Sequence, residues 1–133
     1  MKKVYEKLIL EAKKAINKGF YSTNVPHKRY GAAVLTKKGN IYSSGQYSSF
    51  NHITSIHAEM GAILCATMAE DYEIVALALA INSESKENPK SCGVCLQFIK
   101  EHYIRTGIDI DIIYICEDSV EINSISYLTK NFW

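Results

Sequence analysis

Eight consecutive apolar residues, Ile74-Val75-Ala76-Leu77-Ala78-Leu79-Ala80-Ile81, constrain the fold more than any other stretch of this chain. A strand that is apolar at every position cannot leave one face in water, so it belongs in the middle of a sheet covered on both sides. Helices to do the covering are legible around it. Val4, Leu8 and Ala12, with Leu10 nearby, then Ala15 and Ile16, recur at helical spacing over residues 2–18. Lys2, Lys3, Lys7, Lys13, Lys14 and Lys18 take the other side, interspersed with Glu6 and Glu11, as a solvated face would be. Gly19 supplies a helix stop. A second helix is predicted over residues 57–69, with Ala58, Ala62, Ile63, Ala66 and Met68 available for burial. A third runs from Cys92 to about Tyr103 and is stopped by Thr106-Gly107.

Strand signals complete the pattern. Gly31-Ala32-Ala33-Val34-Leu35-Thr36 and Ile41-Tyr42-Ser43-Ser44-Gly45, joined by Lys37-Lys38-Gly39-Asn40, read as a hairpin. Residues 110–116 read as a further strand, and residues 121–133 as a short helix or turn. The stretch from 46 to 56 is rich in Ser, Asn and Thr, the kind of loop that lines sites on a rigid scaffold. A hairpin followed by alternating helix and strand gives an α/β fold, a mixed sheet with helices on both faces. With no repeat, linker or low-complexity segment, residues 1–133 are expected to form one domain.

Bulk properties exclude several classes of function. A formal net charge of +1 gives no electrostatic case for nucleic acid. The longest apolar run is far short of a membrane span, and the N-terminal residues go straight into charged helical sequence without an apolar signal core. The expectation is a cytoplasmic protein with no membrane partner. Four cysteines, at 65, 92, 95 and 116, are too sparse for a disulfide framework in a chain of this length. Cys65 and Cys116 have apolar neighbours and are expected to be small core residues.

The chemistry concentrates in Ile56-His57-Ala58-Glu59-Met60-Gly61 and Ser91-Cys92-Gly93-Val94-Cys95. Each stretch begins a predicted helix, and a strand between them can bring the two helix starts together. One imidazole and two thiols would then surround a point with the Glu59 carboxylate close by. Three such donors without an evident fourth describe a catalytic zinc site that keeps one position for water. Helix-start amides would lower the thiol pKa values, and Glu59 could move protons. A redox pair or two buried thiols are the blander readings of Cys92 and Cys95; neither gives His57 and Glu59 a task. Glu59 could also serve merely as a partner of the helix dipole. A structural zinc site would need a fourth protein ligand. Cys65, eight residues past His57 on one helix, would lie roughly 12 Å from it, too far to share an ion. Cys116 on a distant strand stays open as a fourth ligand, and His52 falls in the polar loop. His27 and His102 read as surface residues.

His-Ala-Glu followed by Cys-x-x-Cys resembles the zinc-dependent cytidine deaminase superfamily. Gly31-Ala32-Ala33 with its turn is similar to the first strand of the small cytidine deaminases, the interval from Gly31 to Glu59 matches theirs, and Leu128-Thr129-Lys130-Asn131-Phe132 resembles their Leu-Pro-x-x-Phe ending. The resemblance implies a three-layer α/β/α sandwich around a five-stranded mixed sheet. It implies zinc held by His57, Cys92 and Cys95, with Glu59 shuttling protons as a cytosine-type nucleoside loses ammonia. By the same resemblance the Ala58 N–H holds the pyrimidine carbonyl, and the carbonyl of Lys90, or of Ser91 beside it, accepts from the departing amine. A homotetramer or dimer is implied, in which Phe132 covers a neighbour's substrate.

The departures are chemically consistent in one place and costly in another. The tetrameric enzymes carry Cys at His57 and Arg at Met60; a neutral imidazole leaves one fewer anionic ligand for a guanidinium to offset. Ser91 replaces a proline. The ribose-binding Asn-x-Glu pair falls on Gln46 and Ser48, and an upstream aromatic on Lys28. Recognition of a sugar hydroxyl depends on such partners. The expected substrate is cytidine or deoxycytidine; a modified cytosine nucleoside, as in blasticidin-S deaminase, and a non-catalytic zinc-stabilised module are the alternatives.

Overall fold

The computed structural model describes residues 2–21, 28–51, 53–82, 88–117 and 119–132. In chain order its elements are helix α1 (Lys3–Ala15), a 3-10 turn (Ile16–Lys18), and strands β1 (Phe20–Tyr21), β2 (Tyr30–Thr36), β3 (Ile41–Gly45) and β4 (Tyr47–Ser48). Helix α2 (Ala58–Met68), strand β5 (Ile74–Ile81), helix α3 (Gly93–Thr106), strands β6 (Asp111–Ile115) and β7 (Val120–Ser124), and helix α4 (Ile125–Leu128) follow. The main sheet runs β3-β2-β5-β6-β7, which puts β5 in the middle, as its unbroken apolar run demands. β5 and β6 are parallel and the other neighbours antiparallel, so the sheet is mixed.

Alternation along the strands divides the core into two layers. Ala33 and Leu35 of β2, Ala76, Ala78 and Ala80 of β5, and Ile113 and Ile115 of β6 pack against Tyr5, Leu8, Ile9 and Ala12 of α1. The intervening Ala32, Val34, Leu77, Leu79, Ile112 and Tyr114 pack against Ala58, Ala62, Ile63 and Ala66 of α2, Ile99 of α3 and Ile125 of α4. β5 thus turns alanines toward α1 and leucines toward the opposite helices. The result is the three-layer sandwich that the resemblance implied.

Two glycines serve the helices that begin at the site. Gly61 lets α2 lie on β3, because a Cβ there would run into the Ser44 side chain. At the far end of α3, Gly107 takes φ 75°, the left-handed stop that Thr106-Gly107 announced.

Several expectations need correcting. The buried stripe of α1 keeps the expected Leu8, Ala12 and Ala15 but adds Tyr5 and Ile9, whereas Val4 and Leu10 are exposed. Gly19 is extended and follows a 3-10 turn instead of capping the helix. Met68 and Cys65 are exposed and Cys116 is half-buried, so neither thiol is a core residue. The short helix expected in residues 121–133 is α4, but the strand before it, β7, was not foreseen; it is an edge strand whose polar residues blur its alternation. The short pairing of β1 with β4 was also not foreseen. His27, His52 and Trp133 lie outside the described residues. Among the described residues, no helix is long and apolar enough to cross a membrane.

Candidate active site

His57 and Cys92 are the N-cap residues of α2 and α3, both with extended backbone. A cap residue is where the chain turns from loop to helix, so its side chain stands beside the free N–H groups of the first turn. β5 carries the chain from the end of α2 back to the edge where α2 began, and the two caps meet there. His57 Nδ1 lies 3.0 Å from Cys95 Sγ and 3.4 Å from Cys92 Sγ. The Cys95 N–H donates to Cys92 Sγ across 3.4 Å.

These three ligand atoms all lie within 4.8 Å of one another, and among the described residues no other His, Cys, Asp or Glu joins the group. Cys65 and Cys116 both stand outside it. Tetrahedral zinc, with Zn–N of about 2.0 Å and Zn–S of about 2.3 Å, sets N···S separations near ~3.5 Å. The donor set therefore fits zinc in both softness and spacing. Among the described residues the three donors leave the coordination open, as a catalytic site requires and a structural knot does not.

Electrostatics correct one expectation. Helix-start amides do not lower the thiol of Cys95: burial pushes it well above its ordinary range, and the Glu59 carboxylate beside it adds to the rise. A helix dipole is worth about 0.3–1 kcal/mol. Taking a charge out of water costs several. A bound dication, not the dipole, would be needed to turn this thiol into a thiolate.

Glu59, in the first turn of α2, is buried at 4% exposure. It lines a cleft of about 120 Å³ together with Tyr30, Gln46, His57, Ala58, Lys90 and Cys92. Of the sequence-predicted substrate residues, Gln46, Ala58 and Lys90 reach this cleft. Ser48 does not line it; its hydroxyl accepts a hydrogen bond from Gln46 Nε2 at 3.0 Å. Phe132 is also absent from the lining of its own chain's cleft. Lys100 Nζ donates to its carbonyl at 2.7 Å and to that of Thr129 at 3.2 Å, which ties the tail to α3. Sequence reading missed Tyr30, whose only signal is its place immediately before Gly31-Ala32-Ala33. It also missed Tyr114, whose phenol oxygen accepts from the Ser91 N–H at 3.2 Å. Burial pushes the Tyr114 phenol up; hydrogen bonding from Ser91 opposes this, and charge on Glu59 and Cys95 reinforces it.

The sequence model of the cytidine and deoxycytidylate deaminase zinc-binding region matches residues 2–108. This chain belongs to that family. The deaminase is accordingly a hydrolytic enzyme with zinc as its cofactor. Solved structures share its fold. Cytidine deaminase from Burkholderia pseudomallei superposes with a TM-score of 0.79 at 22% identity, covering 96% of each chain. A point mutant of the Mycobacterium tuberculosis cytidine deaminase gives 0.77 at 19%, covering 97% of each. The Bacillus anthracis cytidine deaminase gives 0.70 at 22%, covering 98% of this chain and 89% of that one.

Proposed function

We propose that this deaminase converts a cytosine-type nucleoside, cytidine or deoxycytidine, to its uracil form with release of ammonia. The observation that carries the reading is the buried Glu59 carboxylate, opening into the same cleft as a three-donor zinc set. His57, Cys92 and Cys95 hold zinc. When bound, the metal supplies Lewis acidity at the position the protein donors leave open. Glu59 takes a proton from the attacking water and delivers protons to the ring nitrogen and the departing amine. The oxygen of water ends as the new ring carbonyl, and the amine leaves as ammonia. The Ala58 N–H, at the start of α2, holds the pyrimidine carbonyl, and the carbonyl of Lys90 or Ser91 accepts from the amine. Gln46, with Ser48 behind it, faces the sugar.

The chain works as one domain in a cytoplasmic homo-oligomer, a tetramer or dimer, with Phe132 covering the neighbour's cleft. Two features support the second copy. The cleft of one chain, about 120 Å³, is below the 300–1,000 Å³ of pockets that engulf a small ligand. Leu64, Cys65 and Met68 leave the outer face of α2 apolar and exposed.

A modified cytosine nucleoside is the second reading, favoured by the Gln46–Ser48 pair. That pair is neutral, and one amide proton of Gln46 is already committed to Ser48. Ammonia release from a panel of cytidine, deoxycytidine, cytosine and a blasticidin-like nucleoside separates the two. Turnover of the plain nucleosides is expected. Ammonia from the modified compound alone would replace the first reading with the second, and ammonia from none would overturn both.

A further inference from the structure

The turn that presents Cys92 has an anchor outside the donor set. Cys95 is fully buried within the first turn of α3, so helix packing holds its sulfur in place. Cys92 is exposed, and residues 88–91 before it belong to no helix or strand. Its sulfur makes a long contact to the Cys95 N–H and approaches His57. Of the two thiols, Cys92 is the one whose position depends on the loop.

That loop is fixed from below. Tyr114 on β6 is 7% exposed, opposite Leu79 of β5, with its ring in the core layer shared by α2 and α3. A tyrosine at such a place needs a partner for its oxygen, and Ser91, the residue before Cys92, supplies its backbone N–H. The same bond satisfies an N–H that has no ladder to join. The Ser91 N–H is thus a direct link between this turn and the sheet. A proline, the residue that the resemblance leads one to expect here, has no N–H to give. With serine at position 91, this chain has an N–H there for Tyr114 to accept.

We propose that Tyr114 is a positioning residue for the metal centre, its phenol oxygen pinning the Ser91 N–H and so holding Cys92 Sγ beside His57 and Cys95. The proposal rests on the reading of those three residues as zinc ligands. Losing an outer-shell partner of a ligand costs about 10–100-fold in metal affinity. Tyr114→Phe keeps the ring and removes only the oxygen. Its zinc Kd, measured by competition with a chelator, should rise about 10–100-fold. The fold should persist by circular dichroism, and the stabilisation that zinc adds to the melting temperature should shrink. Ser91→Pro removes the donor instead, and in that background Tyr114→Phe should bring no further loss of zinc affinity.

An unchanged zinc Kd in Tyr114→Phe overturns the proposal while leaving the ligands as assigned. Additive losses in the two variants overturn it as well, since the two residues would then act separately. A wild-type chain that binds zinc no better than Cys95→Ser overturns the ligand reading and this proposal together.

Discussion

His57 and Cys92 sit at the caps of two long helices, whereas Gln46 and Ser48 sit beside and on a two-residue strand, β4, that pairs with β1 and bridges Ile56. The first region owes its geometry to the core: Ala58, Ala62 and Ile63 of α2, and Cys95 and Ile99 of α3, are buried within a few residues of the donors. The second rests on a few local bonds, from the Phe20 N–H to the Gln46 carbonyl, between Tyr47 and Ile56, and within the Gln46–Ser48 pair. Moving a helix cap means repacking a layer of the sandwich; changing the rim disturbs little else. On the proposed assignment, chemistry is written where the fold resists change, and substrate choice where it does not.

The largest effects should come from the capped region, and two variants there should part in kind. Cys95→Ser removes a buried ligand, and its zinc affinity should fall by more than the ~100-fold that losing an outer-shell partner costs, with deamination falling to background. Glu59→Gln should keep stoichiometric zinc and the wild-type melt while kcat drops about 10²–10⁴-fold, the worth of a positioned proton carrier. Metal analysis alongside ammonia-release kinetics checks both. A Glu59→Gln enzyme with ordinary turnover would sink the role given to this carboxylate.

A smaller effect, and one of opposite sign, is expected at the rim. Ser48→Glu restores the charged acceptor that the resemblance leads one to expect there. A hydrogen bond to a charged group contributes about 1.5–3 kcal/mol, so kcat/KM for cytidine relative to free cytosine should rise about tenfold or more. Zinc content should not change. If cytidine is instead turned over less well, the native Gln46–Ser48 pair suits a different sugar, and the contrast between fixed chemistry and adjustable recognition becomes sharper.

What could be read from sequence follows the same division. β5, the hairpin of β2 and β3, and the two helix starts were legible because each has a local cause: an unbroken apolar run, a turn chemistry, a helical repeat. The donor triad was legible because zinc demands few residue types at short spacings, whatever the fold around them. Tyr30 and Tyr114 were not: Tyr30 is marked by no more than its place before Gly31-Ala32-Ala33, and Tyr114 meets Ser91 across 23 positions of chain. β7 escaped because an edge strand need not alternate cleanly, and β1 and β4 because two residues make no pattern.

Cys65 shows the limit most directly, and it gives the smallest expected effect. α2 reads Ala-Glu-Met-Gly-Ala-Ile-Leu-Cys-Ala-Thr-Met, apolar on nearly every side, so periodicity cannot say which face is buried. The structure turns Ala62, Ile63 and Ala66 inward and leaves Leu64, Cys65 and Met68 outside. Cys65→Ser in an isolated chain should therefore stay within ±0.5 kcal/mol, about 2 °C in melting temperature, with zinc content and kcat unaltered. Set against Cys95→Ser, this contrasts one thiol that holds metal with one that only faces outward. A second copy seated on α2 would change the result. Burying that face would make the loss depend on protein concentration, larger at high concentration where the assembly forms and absent on dilution. Melting curves over a hundredfold range of concentration decide between the two, and a concentration-independent wild-type melt would leave the apolar face of α2 without the partner assigned to it.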